Sequence, residues 1–304
     1  MRIVLIGTVE STAVTLRAMV KGGYPPIAVV SLDPTLAARH SDFVDMAPLA
    51  SAAGAEFIPV RSVNAPDVVA RIAALAPDWL VVAGWAQNLH PPLMAAATVG
   101  TVGYHPAPLP ELRGRAVLAW TILLGRTWTA GSLFKLEPQV DSGEILAQER
   151  FDLDPCETLA TLMEKHMKAL SAMWADLLPR LADGTASSQP QDGSRASYCA
   201  KRTAADGRID WDQDVAVIDR LVRAVTAPYP GAFSLRGDDR LIIWEAEPWT
   251  GPAHFGLPGQ IVDIQDGALL IACRMGQVLR VNRWEWGGPE NPKPLRIADR
   301  LERN

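Results

Sequence analysis

Short apolar runs and helical segments alternate through the first part of this chain. The apolar runs end at glycine or polar turns and predict buried strands over 2–6, 27–32, 79–83 and 99–104. Apolar residues at helical spacing predict helices over 11–21 and 66–75. Near-continuous apolar strands that alternate with helices are typical of a parallel sheet covered on both faces. The pattern therefore predicts an α/β fold, with a doubly wound, mostly parallel sheet in a first domain over residues 1–190.

The pattern changes in the second half of the chain. A strand over 145–151 and a long helix over 158–181 lead into a segment rich in Gly, Ser, Gln and Asp, which predicts a linker over 183–197. One helix, over 215–225, then precedes four alternating runs, at 241–245, 259–264, 269–273 and 278–284. Short strands at this spacing predict a small β-barrel of the OB type, and a second domain is expected over 204–304.

Composition and charge narrow the classes of protein. The chain has 304 residues, of which 48% are hydrophobic and 21% charged, as in an ordinary globular enzyme. A net charge of −5 disfavours a nucleic-acid partner held by phosphate contacts. No apolar run reaches the roughly 20 residues of a membrane span, and the first apolar run is too short for a signal peptide. A cytoplasmic protein without a membrane partner is expected.

Several common cofactors and metals are disfavoured. Cys156, Cys199 and Cys273 are odd in number and widely spaced, and no two of the five histidines stand at ligand spacing, so no disulfide framework or metal site is expected. A single glycine, Gly7, follows the first predicted strand, which disfavours a nicotinamide or flavin site. The Walker loop, the H-E-x-x-H motif and the G-x-S-x-G elbow are absent.

Candidate chemistry lies at the end of a predicted strand. His105 follows the strand over 99–104, and the carboxyl ends of parallel strands are where ligands bind in such sheets. Asp141 follows in an Asp-Ser-Gly turn at 141–143, where a carboxylate is free to face a histidine. Each feature alone is more often structural than catalytic, and their order and spacing together carry the hypothesis.

These residues give the chain a resemblance to a known family. Gly-Tyr-His at 103–105, Ala-Pro-Leu-Pro at 107–110, Arg-Gly at 113–114 and Asp-Ser-Gly at 141–143 resemble the signature of the 10-formyltetrahydrofolate-dependent formyltransferases. That family includes methionyl-tRNA formyltransferase and the sugar N-formyltransferases. The segments 206–211 and 222–233 are similar to the start of the family's C-terminal domain, so the resemblance covers essentially the whole chain.

The resemblance implies an enzyme that transfers a formyl group from 10-formyltetrahydrofolate to an amine, without a metal. His105 would handle the proton or the oxyanion, and Asp141 would hold the imidazole. The folate is expected to contact residues in three loops: Trp85, Gln87 and Leu89; Pro108, Leu109 and Arg113; and Pro138, Gln139, Val140 and Asp141. For Arg113 a purely structural role is the alternative.

One position departs from the family pattern. The family's catalytic asparagine, which donates a hydrogen bond to the formyl oxygen, falls on Gly103. Loss of such a donor typically costs about 2.7–4 kcal/mol of transition-state stabilisation. Three explanations stay open: a neighbour supplies the donor, with Gln87 and Asn88 as the leading candidates and Tyr104 as another; His105 carries the oxyanion alone; or the protein binds without catalysing transfer.

The acceptor is expected to be a small amine. The loop over 33–45 carries one arginine and three aspartates, a poor match to a phosphate backbone. A nucleotide-linked aminosugar is the first expectation, contacted by the substrate-binding candidates Thr8, Glu10, Ser41, Asp42 and Tyr104. A hydroxyornithine-type siderophore precursor, methionyl-tRNA and a catalytically silent binding role are the alternatives, and a homodimer is left open. The C-terminal tryptophans 244, 249, 284 and 286 are expected in the barrel core or an interface rather than on a ligand.

Overall fold

A computed structural model describes residues 1–39, 42–288 and 294–302. The chain divides into two compact units. The first comprises Met1–Val117, Trp128–Asp152 and Met163–Ala200, and the second comprises Leu118–Thr127, Leu153–Leu162 and Lys201–Asn304. Each unit has its own sheet.

The strands and helices follow one another in a regular order along the chain. The strands of the first unit are β1 (Ile3–Ile6), β2 (Ala28–Leu32), β3 (Glu56–Val60), β4 (Trp79–Val82), β5 (Gly100–His105), β6 (Arg113–Gly114), β7 (Trp128–Lys135), β8 (Ile145–Asp152) and β9 (Tyr198–Cys199). The helices of the chain are α1 (Glu10–Lys21), α2 (Ala47–Ala52), α3 (Pro66–Ala74), α4 (Pro91–Met94), α5 (Val117–Leu123), α6 (Leu159–Ala182) and α7 (Val215–Val225).

The main sheet of the first unit has seven strands in the order β3-β2-β1-β4-β5-β7-β8. The five strands from β3 to β5 are parallel, whereas β7 and β8 are antiparallel to their neighbours. The order reverses direction between β1 and β4, and ligands of open α/β sheets bind at the carboxyl ends of strands near such a point. The strand β5 lies next to β4, so His105 reaches this edge of the sheet.

Apolar side chains cover both faces of the sheet. On one face Leu5, Val81 and Val102 pack with Leu16 of α1 and Trp174 of α6. On the other face Val4, Ile6, Val30 and Leu80 pack with Ile72 of α3 and Leu93 of α4. All four residues of β1 are buried, which explains its continuous apolar sequence. The predicted doubly wound, mostly parallel α/β fold is confirmed.

Several features of the first unit were not predicted from the sequence. The strand β3 contains Pro59, which an edge strand tolerates, and the apolar pattern of β7 is interrupted by Gly131 and Ser132. The predicted linker over 183–197 is tied into the fold, because Gln189 exchanges two backbone hydrogen bonds with Ile145. Beyond it, the short strand β9 pairs with β6.

The second unit contains the helix α7 and a five-stranded antiparallel sheet. Its strands are β10 (Ala232–Arg236), β11 (Asp239–Pro248), β12 (Ile261–Gln265), β13 (Ala268–Ala272) and β14 (Val278–Trp286), in the order β10-β11-β14-β13-β12. The helix α7 begins and ends at the predicted residues, and it contacts β10, β11 and β14. Trp211 is fully buried in this unit and donates a hydrogen bond to Ser234 Oγ at 3.0 Å.

The tryptophans on the C-terminal strands are half-buried rather than central to the core. Trp284 and Trp286 meet edge to face with centroids 6.1 Å apart. The guanidinium of Arg236 lies 4.7 Å from the ring of Trp286, and that of Arg283 lies 5.8 Å from the ring of Trp244. Arginines of the same unit thus cover part of these aromatic faces. Along the described residues, no helix is long and apolar enough to span a membrane.

Candidate active site

The site is built around His105, the last residue of β5. The residue is buried, with 6% of its surface exposed, and its register partner on β7 is Ser132. Its Nδ1 lies 3.7 Å from a carboxylate oxygen of Asp141, and its Nε2 lies 2.7 Å from the carbonyl oxygen of Leu112. Both ring nitrogens therefore face oxygen atoms, with Nε2 at hydrogen-bond distance and Nδ1 at the longer distance of an electrostatic contact.

Asp141 occupies a tight turn between β7 and β8. Its backbone has a φ of +50°, and its carboxylate accepts a hydrogen bond from the backbone N–H of Gly114 at 2.8 Å. A Cβ on Gly143 would lie 1.9 Å from the carbonyl oxygen of Lys135, so only glycine fits that position of the turn. The Asp-Ser-Gly sequence thus serves the local geometry as well as supplying the carboxylate.

Two polar side chains hold the proline-rich loop that follows His105. The buried Ser132 donates to the carbonyl oxygen of Ala107 at 2.7 Å. Gln148 of β8 donates to Ser132 Oγ at 2.9 Å and to the carbonyl oxygen of Leu109 at 3.0 Å. The loop is therefore attached to the antiparallel strands β7 and β8.

Arg113 is buried behind this loop. Its guanidinium donates two hydrogen bonds to Gln191 Oε1, at 2.7 and 3.2 Å, and one to the hydroxyl of Tyr198 at 3.3 Å. Only 4% of the residue is exposed. These contacts favour the structural role for Arg113 over contact with a folate tail.

Comparison with known proteins shows the family of this chain. Residues 1–176 match the sequence profile described as formyl transferase, and residues 201–299 match the profile described as formyl transferase, C-terminal domain. The chain belongs to the formyl transferase family. The resemblance found in the sequence is therefore confirmed, and the protein is a formyltransferase by family.

Solved structures from this family share the fold. HypX from Aquifex aeolicus, solved with tetrahydrofolic acid, matches with a TM-score of 0.66 and 18% identity over 93% of this chain, but the chain covers only 44% of that protein. An N-formyltransferase from Helicobacter canadensis, solved with folinic acid and dTDP-3-aminofucose, gives a TM-score of 0.68 and 13% identity over 92% of this chain and 98% of that one. Methionyl-tRNA formyltransferase from Clostridium thermocellum gives a TM-score of 0.58 and 20% identity, over 83% of this chain and 96% of that one.

Gly103 faces an apolar surface in this formyltransferase. Gly103 and His105 are two residues apart on β5 and so lie on the same face of the strand. A Cβ at position 103 would lie 2.6 Å from Leu136 Cδ2 and 3.1 Å from Phe134 Cε1. Leu136 therefore fills the space into which the family's asparagine would extend.

Tyr104 belongs to the opposite face of β5. Its hydroxyl is hydrogen-bonded to Nδ1 of His166 at 3.0 Å, and the His166 ring meets Phe151 edge to face. Burial raises the pKa of Tyr104. Burial, with a smaller contribution from the charge of His105, lowers the pKa of His166 to about 3. Both groups are neutral near pH 7, and the structure does not bring Tyr104 to the face that holds His105.

The loop after β4 is partly committed to other contacts. Gln87 accepts from the backbone N–H of Val63 at 3.2 Å and donates to the carbonyl oxygen of Arg61 at 3.1 Å. The carbonyl oxygen of Asn88 accepts from Asn64 at 2.9 Å, and Asn88 itself is exposed. The side-chain amide of Gln87 is therefore engaged with the loop after β3, whereas Asn88 takes part through its backbone carbonyl.

The remaining predicted site residues occupy different surroundings. Trp85 and Leu89 are half-buried against the core, and the indole N–H of Trp85 is buried without a hydrogen-bond partner. The loop with Pro138, Gln139 and Val140 is exposed, whereas Pro108 and Leu109 are buried.

The residues predicted to bind the acceptor also differ in burial and in their contacts. Thr8 is fully buried with an unpartnered hydroxyl, and Glu10 is paired with Arg17. Asp42 is half-buried, and Ser41 lies outside the described residues. The backbone N–H of Val44 donates to the carbonyl oxygen of Thr8 at 2.8 Å, which attaches the loop over 33–45 to the end of β1.

Four polar residues near the site belong to no sequence motif. They are Ser132, Gln148, Gln191 and Ser197, and the last of these accepts from the backbone N–H of Leu112 at 2.9 Å. Each acts on backbone groups far away in sequence, so neither spacing nor periodicity reveals it.

Replacement of Gly143 tests how tightly the turn is fitted. Gly143→Ala brings a methyl group against the Lys135 carbonyl, and we expect a loss of about 1–3 kcal/mol in the free energy of unfolding, as for other overpacked sites. Gly193→Ala is the control, because nothing lies within 4 Å of a Cβ there. Urea unfolding of both variants measures the difference. Equal stabilities would show that the turn accommodates the extra carbon.

Proposed function

We propose that this formyltransferase moves the formyl group of 10-formyltetrahydrofolate to a small amine, in the first place the amine of a nucleotide-linked aminosugar. The observation that carries the proposal is the buried His105 with a carboxylate oxygen of Asp141 3.7 Å from its Nδ1, in a chain of this family. We propose a catalytic domain over 1–190 and a C-terminal domain over 204–304, although the compact units assign 118–127 and 153–162 to the second unit.

His105 is assigned the proton-transfer role. The neutral amine attacks the formyl carbon, and the resulting tetrahedral intermediate carries an oxyanion and a positively charged nitrogen. That nitrogen gives its proton to the imidazole, the bond between the formyl carbon and the folate nitrogen breaks, and the proton passes to the departing folate. Nε2 is the nitrogen proposed to act, and it exchanges the Leu112 carbonyl for the substrate. Asp141 keeps the ring oriented and stabilises its charged form.

The folate ring is proposed to lie against the loop after β4 and the loop before Asp141. Trp85 supports this placement, because its indole N–H is a buried donor without a protein partner, and buried donors of this kind are costly unless something accepts from them. Leu89 and the buried Pro108 and Leu109 would border the ring, and the exposed segment 138–140 would close over it. Arg113 is assigned to the scaffold, not to the folate.

A small acceptor fits the charge of the acceptor side better than tRNA does. The loop over 33–45 has one arginine and three aspartates, and the whole chain has a net charge of −5. The Helicobacter canadensis relative, which the chain covers almost fully, was solved with a dTDP-linked aminosugar. Thr8, Glu10 and Asp42 are proposed to lie on the acceptor side.

A catalytically silent binding protein is the second candidate, because of the surface at Gly103. Leu136 and Phe134 place apolar groups where the family has an amide donor, so the formyl oxygen would meet no side-chain amide from β5. The side-chain amide of Gln87 is hydrogen-bonded to Val63 and Arg61, so we do not propose it as the replacement donor. We therefore assign the oxyanion to His105 after its ring has taken the proton of the attacking amine, and transfer slower than in relatives with the asparagine is expected.

Removal of the imidazole tests its role. His105→Ala is expected to abolish formyl transfer while folate affinity stays within about tenfold, because a proton-transfer group contributes more to the transition state than to ground-state binding. Turnover and folate titration on the same preparation measure the two effects. Unchanged turnover would remove His105 from the mechanism.

The proposed acceptor is tested by comparing an aminosugar nucleotide with methionyl-tRNA. With 10-formyltetrahydrofolate as donor, we expect turnover with dTDP-linked aminosugars and none with methionyl-tRNA, since a phosphate-backbone reader needs a basic surface. Mass spectrometry of both acceptors measures transfer. Robust formylation of charged initiator tRNA would contradict the assignment.

Restoring the amide tests the assignment of the oxyanion. Gly103→Asn alone should not raise turnover, because the added Cβ would lie 2.6 Å from Leu136 Cδ2. Gly103→Asn with Leu136→Ala should raise turnover above the wild type, by about 100-fold or more if a full donor is regained. Leu136→Ala alone is the control. A double variant no faster than this control would indicate that another donor already serves the oxygen.

A further inference from the structure

Gln191 lies in the segment predicted as a linker, yet its side chain joins two parts of the candidate site. Its Nε2 donates to the carbonyl oxygens of Asp141, at 2.9 Å, and Gly143, at 2.7 Å. Its Oε1 accepts from Arg113 Nη2 at 2.7 Å and Nε at 3.2 Å. One amide therefore bridges the Asp-Ser-Gly turn and the Arg-Gly strand.

The hydrogen-bonding capacity of this amide is fully used. A glutamine side chain has two N–H donors and one oxygen with two lone pairs, and Gln191 matches them with two carbonyls and two guanidinium N–H groups. The partners also fix its orientation. A flipped amide would set N–H groups against the guanidinium and an oxygen against two carbonyls.

The main chain around Gln191 is itself anchored. Two residues before it, Gln189 exchanges backbone hydrogen bonds with Ile145 at 2.8 and 2.9 Å. After it, Ser197 accepts the backbone N–H of Arg113 through its carbonyl oxygen at 2.8 Å. Gln191 thus extends from a segment that is hydrogen-bonded on both sides of it, and its side chain connects the turn with Arg113.

The turn needs support from outside. Asp141 has a φ of +50°, which is disfavoured for a residue with a Cβ, and its carboxylate has to meet both the Gly114 N–H and His105. Hydrogen bonds from Gln191 to the carbonyls on either side of Ser142 hold the backbone in that conformation. The bond to Arg113 sets the distance between the turn and Gly114.

We propose that Gln191 is a positioning residue for formyl transfer, which places the Asp141 carboxylate against His105. This inference rests on the proposed function, in which Asp141 orients the catalytic imidazole. Gln191 touches none of the reacting groups, and it acts only through the turn.

Gln191→Glu separates the contact with Arg113 from the contacts with the turn. The glutamate keeps an acceptor for Arg113 but turns an acceptor toward the carbonyls of Asp141 and Gly143, so the turn is released. We expect kcat to fall by about tenfold or more, while KM for 10-formyltetrahydrofolate changes by less than about twofold. Gln189→Glu is the matched control, since it makes the same change of charge on an exposed side chain two residues away, and it should retain wild-type kcat.

A double-mutant cycle with Asp141→Asn tests the route of the effect. If Gln191 acts through Asp141, the Gln191→Glu change costs little in the Asp141→Asn background. An equal loss of kcat in both backgrounds, or no loss in the wild-type background, would overturn the proposal. Gln191→Met, which is uncharged and of similar shape, should show the same pattern and replaces Gln191→Glu if that variant does not fold.

The ring signals of His105 in nitrogen-15 NMR spectra provide a readout independent of turnover. They should shift in Gln191→Glu and stay unchanged in Gln189→Glu, and unchanged signals in both would overturn the positioning role. If the wild-type protein transfers no formyl group to any amine, the proposed function fails, but these signals still decide whether Gln191 positions the pair.

Discussion

The hydrogen bond from the Gly114 backbone to the Asp141 carboxylate is the contact on which the candidate site depends. It spans 2.8 Å and joins the end of the proline-rich loop to the turn between β7 and β8. His105 is fixed independently, because it ends a strand in the middle of the sheet. The carboxylate can face the imidazole only if loop and turn are both held, and Ser132, Gln148 and Gln191 hold them through backbone carbonyls. The chemistry of two side chains thus rests on a scaffold of main-chain contacts.

The same scaffold limits the chemistry available. With Leu136 packed over Gly103, β5 places no side-chain amide beside His105. An oxyanion at this place would depend on a charged imidazole, whereas an amide would serve it without any change of protonation. The neutral pair of Tyr104 and His166 on the opposite face cannot compensate, because the strand directs it toward α6. Gly103 and Leu136 therefore form a complementary pair, because a side chain at position 103 requires Leu136 to give way.

The sequence predicts the sheet, the helices and the two central side chains of the site, but not the residues that support them. Continuous apolar runs such as β1 predict the parallel sheet, and α7 was predicted to the residue, because burial leaves a periodic trace. His105 and Asp141 were indicated by the order and spacing of their motifs, although a sequence pattern does not predict that they lie 3.7 Å apart. Gln191 was assigned to a linker, because its neighbours are polar and its partners are 48, 50 and 78 residues away. The missing amide at Gly103 was visible in the sequence, but the side chain that fills its place was not.

A single-turnover experiment with carbon-13-labelled 10-formyltetrahydrofolate tests the central claim most directly. Excess enzyme, labelled folate and a dTDP-linked aminosugar are mixed and quenched at intervals, and the label is followed by mass spectrometry. The account predicts that the label moves from the folate to the acceptor amine, and that this transfer is lost when His105 is replaced. Label that stays on the folate, or that appears only as free formate, would contradict it.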